Sequence, residues 1–97
     1  MSEYRLLPRA RADLADIWAY THSRWNREQA DRYTGSIHQA IARLADNPSL
    51  GQHVRGISED YRAYRSGSHM IFYQSVQAEL HVVRILHQRM DYLRHLR

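Results

Sequence analysis

The chain has 97 residues, 43 % of them apolar, no cysteine and a formal net charge of +4. This length fits one domain, residues 1–97, and the apolar content argues against a disordered chain. Without cysteine there are no disulfides, thiolate metal sites or thiol nucleophiles. No apolar run approaches the roughly 20 residues that span a bilayer, and residues 1–11 lack the apolar core of a signal peptide. We therefore expect a cytoplasmic protein with no membrane partner.

All fourteen basic residues are arginine. Arginine stays charged and presents a planar fork of N–H donors that matches carboxylate and phosphate groups. The charge is uneven, since residues 61–97 carry six arginines and two acids, 6 − 2 = +4. This asymmetry predicts an acidic partner, either a protein or a nucleic acid.

The first elements are a short strand and a helix. Tyr4 to Leu7 is a strand candidate that ends at Pro8, a residue suited to the first turn of a helix. Apolar residues then recur at three- and four-residue spacing, which predicts a helix from Pro8 to about Arg24. Trp18 and Trp25 lie on this apolar stripe, and their position indicates core or interface packing.

A second helix follows closely. Asn26, with Gln29 three residues later, resembles the capping box that opens a helix. The helix should end near Asp46, because Asn47 precedes Pro48. Two helices with so short a link form an antiparallel hairpin, and their combined apolar face needs a sheet to cover it.

The second half of the chain predicts a loop and three strands. Asn47 to Asp60 has the proline and glycine content of a loop, and Tyr61 to Arg65 is a strand candidate. Ser66 to Ser68 is a turn into a β-hairpin that extends from His69 to Asp91. A short C-terminal helix or tail follows, from Met90 to Leu96.

Both strands of this hairpin show a period of two, which is typical of a pleated strand. In the first, one face carries Met70, Phe72 and Gln74 and the other Ile71, Tyr73 and Ser75. In the second, one face carries Leu80, Val82, Arg84 and Leu86 and the other His81, Val83, Ile85 and His87. Because the second strand is mainly apolar on both faces, we expect it to lie centrally in the sheet.

The element order β-α-α-β-β-β predicts an α+β fold. In this fold the helical hairpin packs on a small antiparallel sheet, and residues 89–97 form a basic C-terminal tail.

Three residues near the end of the last strand could carry chemistry. Arg84 lies within an apolar run, so it requires a partner, a ligand or a groove. His87 can act as an acid or base near neutral pH, and Arg89 can stabilise a developing phosphate charge. A cleft formed by these residues with His69 could support RNA cleavage through attack of the ribose 2′-hydroxyl.

Other patterns point to binding or to nothing specific. Arg62 and Arg65 fall on opposite faces of their strand, so one can bind a partner while the other is solvated. No His-x-x-x-His or paired-carboxylate pattern indicates a metal, and no glycine-rich stretch follows a strand as in nucleotide-binding folds. We expect neither a metal nor a cofactor.

Four segments are informative when taken together: the opening YRLLPRARADLADIWAYTHSRWNREQADRY, the loop segment NPSLG, the strand segment GSHMIFYQ and the ending VVRILHQRMD. In this combination and order they resemble the ParE-type toxins of the RelE/ParE superfamily of bacterial toxin–antitoxin systems. The resemblance covers essentially the whole chain, and VVRILHQRMD is its strongest part.

The resemblance implies a toxin that poisons DNA gyrase by trapping it on cleaved DNA. It also implies a ParD-like antitoxin, encoded beside the toxin, that neutralises it in a hetero-oligomeric complex. Any contact with DNA would be indirect, through the antitoxin or gyrase, and the biological role would be plasmid stabilisation or stress response. The residues expected to contact a target or antitoxin, without breaking bonds, are Arg62, Tyr64, Arg65, Arg84, His87, Arg89 and Trp18.

Two alternatives stay open. The RelE branch cuts ribosome-bound mRNA with a basic cluster that often includes lysine, whereas this chain has no lysine and has Met70 where that branch tends to carry a catalytic arginine. His87 nevertheless resembles the strand-end histidine of some ribonuclease members, with Arg84 and Arg89 as its catalytic partners. The third possibility is a toxin fold that has lost its activity and only binds.

Overall fold

The first three elements form as predicted. The computed structural model describes residues 3–57 and 60–96. Strand β1 (Tyr4–Leu6) is followed by helix α1 (Pro8–Arg24) and helix α2 (Arg27–Asp46). The Asn26 side chain accepts a hydrogen bond of 2.8 Å from the backbone N–H of Gln29, which satisfies one of the free donors at the start of α2.

The remaining elements are all shorter than the two long helices, and the two strands of the β-hairpin are the longest of them. They are a 3-10 turn (Pro48–Leu50), β2 (Gln52–His53), β3 (Arg62–Ser66), β4 (His69–Val76), β5 (Glu79–His87) and helix α3 (Tyr92–Leu96). The prediction of a plain loop from Asn47 to Asp60 was incomplete, because this segment holds the 3-10 turn and β2. Strand β2 was missed because two residues are too few to show an alternating pattern. Ser58 and Glu59, which the predicted loop also included, lie outside the described residues.

Tyr73 on β4 explains why the segment after α2 is ordered. Its hydroxyl donates to the backbone carbonyl of Pro48 at 2.6 Å and accepts from the N–H of Gly51 at 2.8 Å. The ring is fully buried, and this burial raises the pKa of Tyr73. A Cβ atom at Gly51 would overlap the Tyr73 ring, so glycine is required at this close approach.

The sheet has the order β1-β5-β4-β3-β2. The pairs β2–β3, β3–β4 and β4–β5 are antiparallel as predicted, whereas β1 pairs in parallel with β5, Tyr4 opposite Leu80. The sheet is therefore mixed, and the α1–α2 hairpin connects β1 at one edge with β2 at the other. Strand β5 lies between β1 and β4, which confirms its predicted interior position.

Each face of the sheet has its own hydrophobic core. The α1–α2 hairpin covers one face, where buried residues of both helices pack on Ile71, Tyr73 and Val82. Helix α3 covers part of the other face, where Leu96 packs with residues that include Phe72 and Leu86. The predicted C-terminal tail thus contains a helix that is packed on the sheet.

A β-bulge in β5 changes the predicted facing of its residues. Phe72 pairs with Arg84 but the next residue, Tyr73, pairs with Val82, so Val83 is an extra residue in β5. The alternation is therefore broken: Val82 and Ile85 both lie in the helix-side core, and Val83 and Leu86 pack on the other face. The strict period of two predicted for β5 was wrong. A single inserted residue moves every later side chain of the strand to the opposite face of the sheet.

The β4–β5 turn is strained. Its two residues, Gln77 and Ala78, have φ values of 50° and 66°, a left-handed conformation that costs L-residues about 1–2 kcal/mol each. This is the geometry of a turn that favours Asn-Gly. Replacing the pair (Gln77→Asn with Ala78→Gly) should raise the free energy of unfolding by about 1 kcal/mol, measured by urea denaturation.

The matched control for that prediction is Ala42→Gly, at an exposed position of α2. Glycine within a helix should lower the free energy of unfolding by about 1 kcal/mol. If the turn variant also lowers it, then the turn is not the source of strain.

Candidate functional site

An open groove lies where the C-terminal half of α1 meets the end of the central hairpin. We call it the aromatic groove. Its volume is about 390 Å³, and it is lined by Tyr20, Thr21, Trp25, Gln29, Tyr33, Ser68, His69 and His87. A cavity of about 270 Å³ shares four of these residues and extends the groove to Asp16 and Ile17. The groove therefore combines residues from both helices with the end of the sheet.

Two histidines form the floor of the aromatic groove. His69 begins β4 and His87 ends β5, and the two are cross-strand partners whose ring centroids lie 5.4 Å apart. This pairing brings together the two histidines that the sequence predicted in one cleft. Because the bulge lies before His87, both side chains emerge on the helix side of the sheet.

Hydrogen bonds hold the His69 ring in place. The Tyr33 hydroxyl lies 2.7 Å from His69 Nδ1, and its oxygen accepts the backbone N–H of Ser68 at 3.0 Å. The tautomer of His69 decides which of the two groups donates in the first of these bonds. Burial and the charge of His87 lower the pKa of His69, while Asp13 acts in the opposite direction.

His87 connects the groove to the C-terminal segment. Its Nδ1 accepts the backbone N–H of Arg89 at 3.1 Å. The bonds at His69 and His87 hold both rings in place, which suits them to binding a polar group.

Most of the predicted arginines make internal contacts. Arg62 donates to the carbonyl of Gly51 at 2.7 Å, and Arg65 donates to the carbonyl of Gly67 at 3.0 Å. Tyr64, between them, packs against the helix-side core. These contacts support the loop and the turn that flank β3, and a further contact with a partner stays a prediction for each of the three residues.

Arg84 finds its partner within the chain. Its Nε and Nη2 donate to the two carboxylate oxygens of Asp13 at 2.8 and 2.9 Å, and this contact raises the pKa of Arg84. The side chains are only 15 % and 14 % exposed. The structure therefore explains this charge in an apolar strand by a bond to α1, and it does not bring Arg84 into a common cleft with His87.

Trp18 also makes an internal contact. Its indole N–H donates to Asp31 of α2 at 2.8 Å, and its ring stacks on His22 with centroids 5.0 Å apart. The hydrogen bond joins the two helices, whereas the stack lies within α1. The role of Trp18 in binding a partner stays a prediction.

Two exposed aromatic residues line the groove. Trp25, for which the sequence indicated core or interface packing, is 70 % exposed, so it is not in the core, and Tyr20 is 63 % exposed. Trp25 caps the end of α1, where the helical periodicity stops, so its ring leaves the stripe. The guanidinium of Arg24 lies 5.9 Å from the centre of the Tyr20 ring. A large exposed aromatic pair beside a groove is typical of a protein-binding surface.

Neither a cluster of metal ligands nor a membrane-spanning helix is present in residues 3–57 and 60–96. No group of three or more histidine or acidic side chains could hold a metal ion there. No helix in that part of the chain is long and apolar enough to cross a membrane.

Comparison with known proteins decides the family. Residues 4–92 match the family model described as "ParE toxin of type II toxin-antitoxin system, parDE". The chain belongs to the ParE toxin family. It is 42 % identical over 96 residues to Toxin ParE1 of Caulobacter vibrioides, with 99 % of each chain covered.

Further relatives and structures agree with this. Toxin ParE1 of Mycobacterium tuberculosis strain H37Rv is 43 % identical over 96 residues, and the alignment covers 98 % of each chain. Toxin ParE of Escherichia coli is 35 % identical over 97 residues, and the alignment covers 99 % of this chain and 94 % of the Escherichia coli toxin. The chromosomal ParDE system from P. aeruginosa has the same fold, with a TM-score of 0.77, 17 % identity and coverage of 90 % and 96 %. The RelBE2 toxin–antitoxin complex from M. tuberculosis matches with a TM-score of 0.67, 18 % identity and coverage of 89 % and 96 %.

The lowered pKa of His69 predicts that the stability of this ParE-family toxin depends on pH. Because folding lowers the pKa of His69 below 6.5, the unfolded chain binds more protons than the folded chain as the pH falls through that value. The free energy of unfolding should therefore decrease between about pH 7.5 and about pH 5.5. In His69→Gln this decrease should be smaller, which urea denaturation at both pH values would measure.

His38→Gln is the control, because it removes an exposed histidine from α2. Its pH dependence should equal that of the unmodified chain. An unchanged slope in His69→Gln would show that this histidine does not couple protonation to folding.

Proposed function

We propose that this ParE-family toxin acts in the cytoplasm by poisoning DNA gyrase and that a ParD-like antitoxin neutralises it. Membership in the ParE family supports the toxin role. The observation that carries the choice of a binding function over catalysis is the composition of the aromatic groove: among the described residues, no arginine lines it.

This composition disfavours phosphodiester cleavage. A cleavage transition state gains negative charge on phosphate oxygens, and enzymes stabilise it with fixed donors or cations. Here two histidines could move protons, but Arg62, Arg65 and Arg84 donate to carbonyl groups or to Asp13. None of these three arginines lines the groove, and this disfavours cleavage there.

The gyrase contact is proposed for the C-terminal segment. Arg89 and Arg94 are exposed there, while Tyr92 and Leu96 pack on the sheet. The segment thus presents cations on a surface that its own apolar residues hold in place. The backbone of these arginines is already ordered, so binding a carboxylate or a phosphate has to immobilise only their side chains.

The antitoxin contact is proposed for the aromatic groove and the sheet edges. Covering Trp25 and Tyr20 would remove a large exposed apolar surface from water. Strands β1 and β2 are the two edges of the sheet, with two or three residues each, and a partner strand could extend either of them. A basic toxin also attracts an acidic antitoxin segment.

The deciding experiment compares two targets in parallel. Purified toxin is added to gyrase, ATP and supercoiled plasmid, and protein-linked linear DNA is measured. Translating ribosomes are tested for cut mRNA with the same preparation. Linear DNA without mRNA cleavage supports the gyrase function. Cleavage of mRNA that is lost in His87→Ala would establish the ribonuclease function instead. The position of His87 in the groove is the observation that favours this second candidate function.

Neutralising the exposed arginines should separate target binding from folding. Arg89→Gln with Arg94→Gln should raise the toxin concentration needed for half-maximal gyrase-linked breaks by about tenfold, since each removes an exposed cation from the proposed contact. The control Arg43→Gln removes an exposed arginine from α2 and should have no effect. Substitution is preferable to deletion from Met90, because deletion would also remove buried Leu96.

Trp25→Ala should weaken antitoxin binding by about 2 kcal/mol, or about thirtyfold in Kd, because exposed tryptophans beside grooves are frequent anchors of protein interfaces. Isothermal titration calorimetry with the antitoxin encoded beside the toxin would measure this. The control is Leu50→Ala, which truncates an exposed apolar residue outside the groove. Equal affinities for the two variants would exclude the groove as the antitoxin site.

A further inference from the structure

Helix α3 cannot be held in position by its own hydrogen bonds. It has five residues, and isolated helices of this length are not stable in water. Its position therefore depends on contacts with the rest of the chain. Two of these are apolar: Leu96 is buried, and the Tyr92 ring stacks on Phe72 with centroids 5.4 Å apart. Apolar contacts are less directional than hydrogen bonds, and the Tyr92 hydroxyl adds only a long hydrogen bond of 3.4 Å to the carbonyl of Arg55.

A directional contact is made at the C-terminal end of α3. Nη1 of Arg84 donates to the backbone carbonyl of His95 at 3.3 Å. The last carbonyls of a helix have no donor within the helix, and a positive charge near them is favourable. Arg84 therefore provides both a donor and a charge at the end of α3.

Asp13 on α1 fixes the orientation of that guanidinium. Its two oxygens accept Nε–H and Nη2–H of Arg84, and one of them also accepts the backbone N–H of Ile85 at 2.9 Å. The two-point contact sets the plane of the guanidinium and hence the direction of Nη1. A lysine could supply the charge but not this geometry.

We propose that Asp13, acting through Arg84, is a positioning residue for the C-terminal segment and that it thereby sets how Arg94 is presented to the target. Asp13 itself is mostly buried and does not touch the target. This inference rests on the proposed gyrase function for its biological meaning, but the positioning of α3 can be measured without gyrase.

Amide hydrogen exchange of the full-length toxin tests the positioning. In Asp13→Asn the amides of α3 should exchange about tenfold faster, while those of β4 around Ile71 and Tyr73 should change by less than about twofold. Arg84→Lys, which keeps the charge and removes the fork, should give the same pattern. Equal acceleration of α3 and β4 would overturn the proposal, because it would show a general loss of stability, and so would unchanged exchange of α3.

The control Glu28→Gln removes one acidic charge from an exposed pair with Arg32 and should leave α3 exchange unchanged. Gyrase-linked breaks should require about tenfold more of Asp13→Asn than of the unmodified toxin, with antitoxin Kd changed by less than about threefold. Unchanged gyrase activity in a variant with accelerated α3 exchange would overturn the role of positioning. Absence of breaks with the unmodified toxin would instead contradict the proposed gyrase function and leave the exchange result to decide the positioning.

Discussion

The carboxylate of Asp13 joins helix α1 to strand β5 and, through Arg84, to helix α3. Strand β1 stops pairing with β5 at Leu6 and Val82, with one further bond from Leu7 to Val82, and the chain then turns into α1. From there on β5 would present unpaired backbone groups beside α1, and buried unpaired groups are costly. Asp13 supplies an acceptor for Ile85 at this point. The carboxylate is mostly buried, so it requires a cation, and Arg84 of the same strand provides one.

A bulge at Val83 lies directly before this contact and gives β5 one extra residue. After it, Ile85 returns to the helix-side core. The side of the sheet on which His87 lies depends on this shift. Without the extra residue, His87 would point to the face covered by α3, and the pair with His69 would not exist. The floor of the aromatic groove therefore depends on the bulge in β5.

Local patterns were sufficient to predict the helices and the main hairpin. The bounds of α1 and α2 follow from Pro8, the Asn26 cap and Pro48, each of which acts within a few residues of its position. Pairings between distant residues were not predictable in this way. Arg84 and Asp13 are 71 positions apart, and the sequence shows that Arg84 needs a partner without showing which. The bulge also has no local signature in the sequence, and it changed the face of the sheet on which the residues after Val83 lie. The groove could be predicted only through its histidines, because Trp25 lies where helical periodicity ends.

The two proposed contact surfaces lie on opposite faces of the sheet. The aromatic groove belongs to the helix side, and α3 packs on the other side. An antitoxin that occupied only the groove would leave Arg94 uncovered, so neutralisation requires either a longer antitoxin segment or a link between the faces. Two links cross the sheet: Asp13 to Arg84 to the carbonyl of His95, and His87 to the backbone of Arg89. Since α1 contributes both Asp13 and the wall of the groove, a partner that moves α1 also acts on the bonds that orient α3.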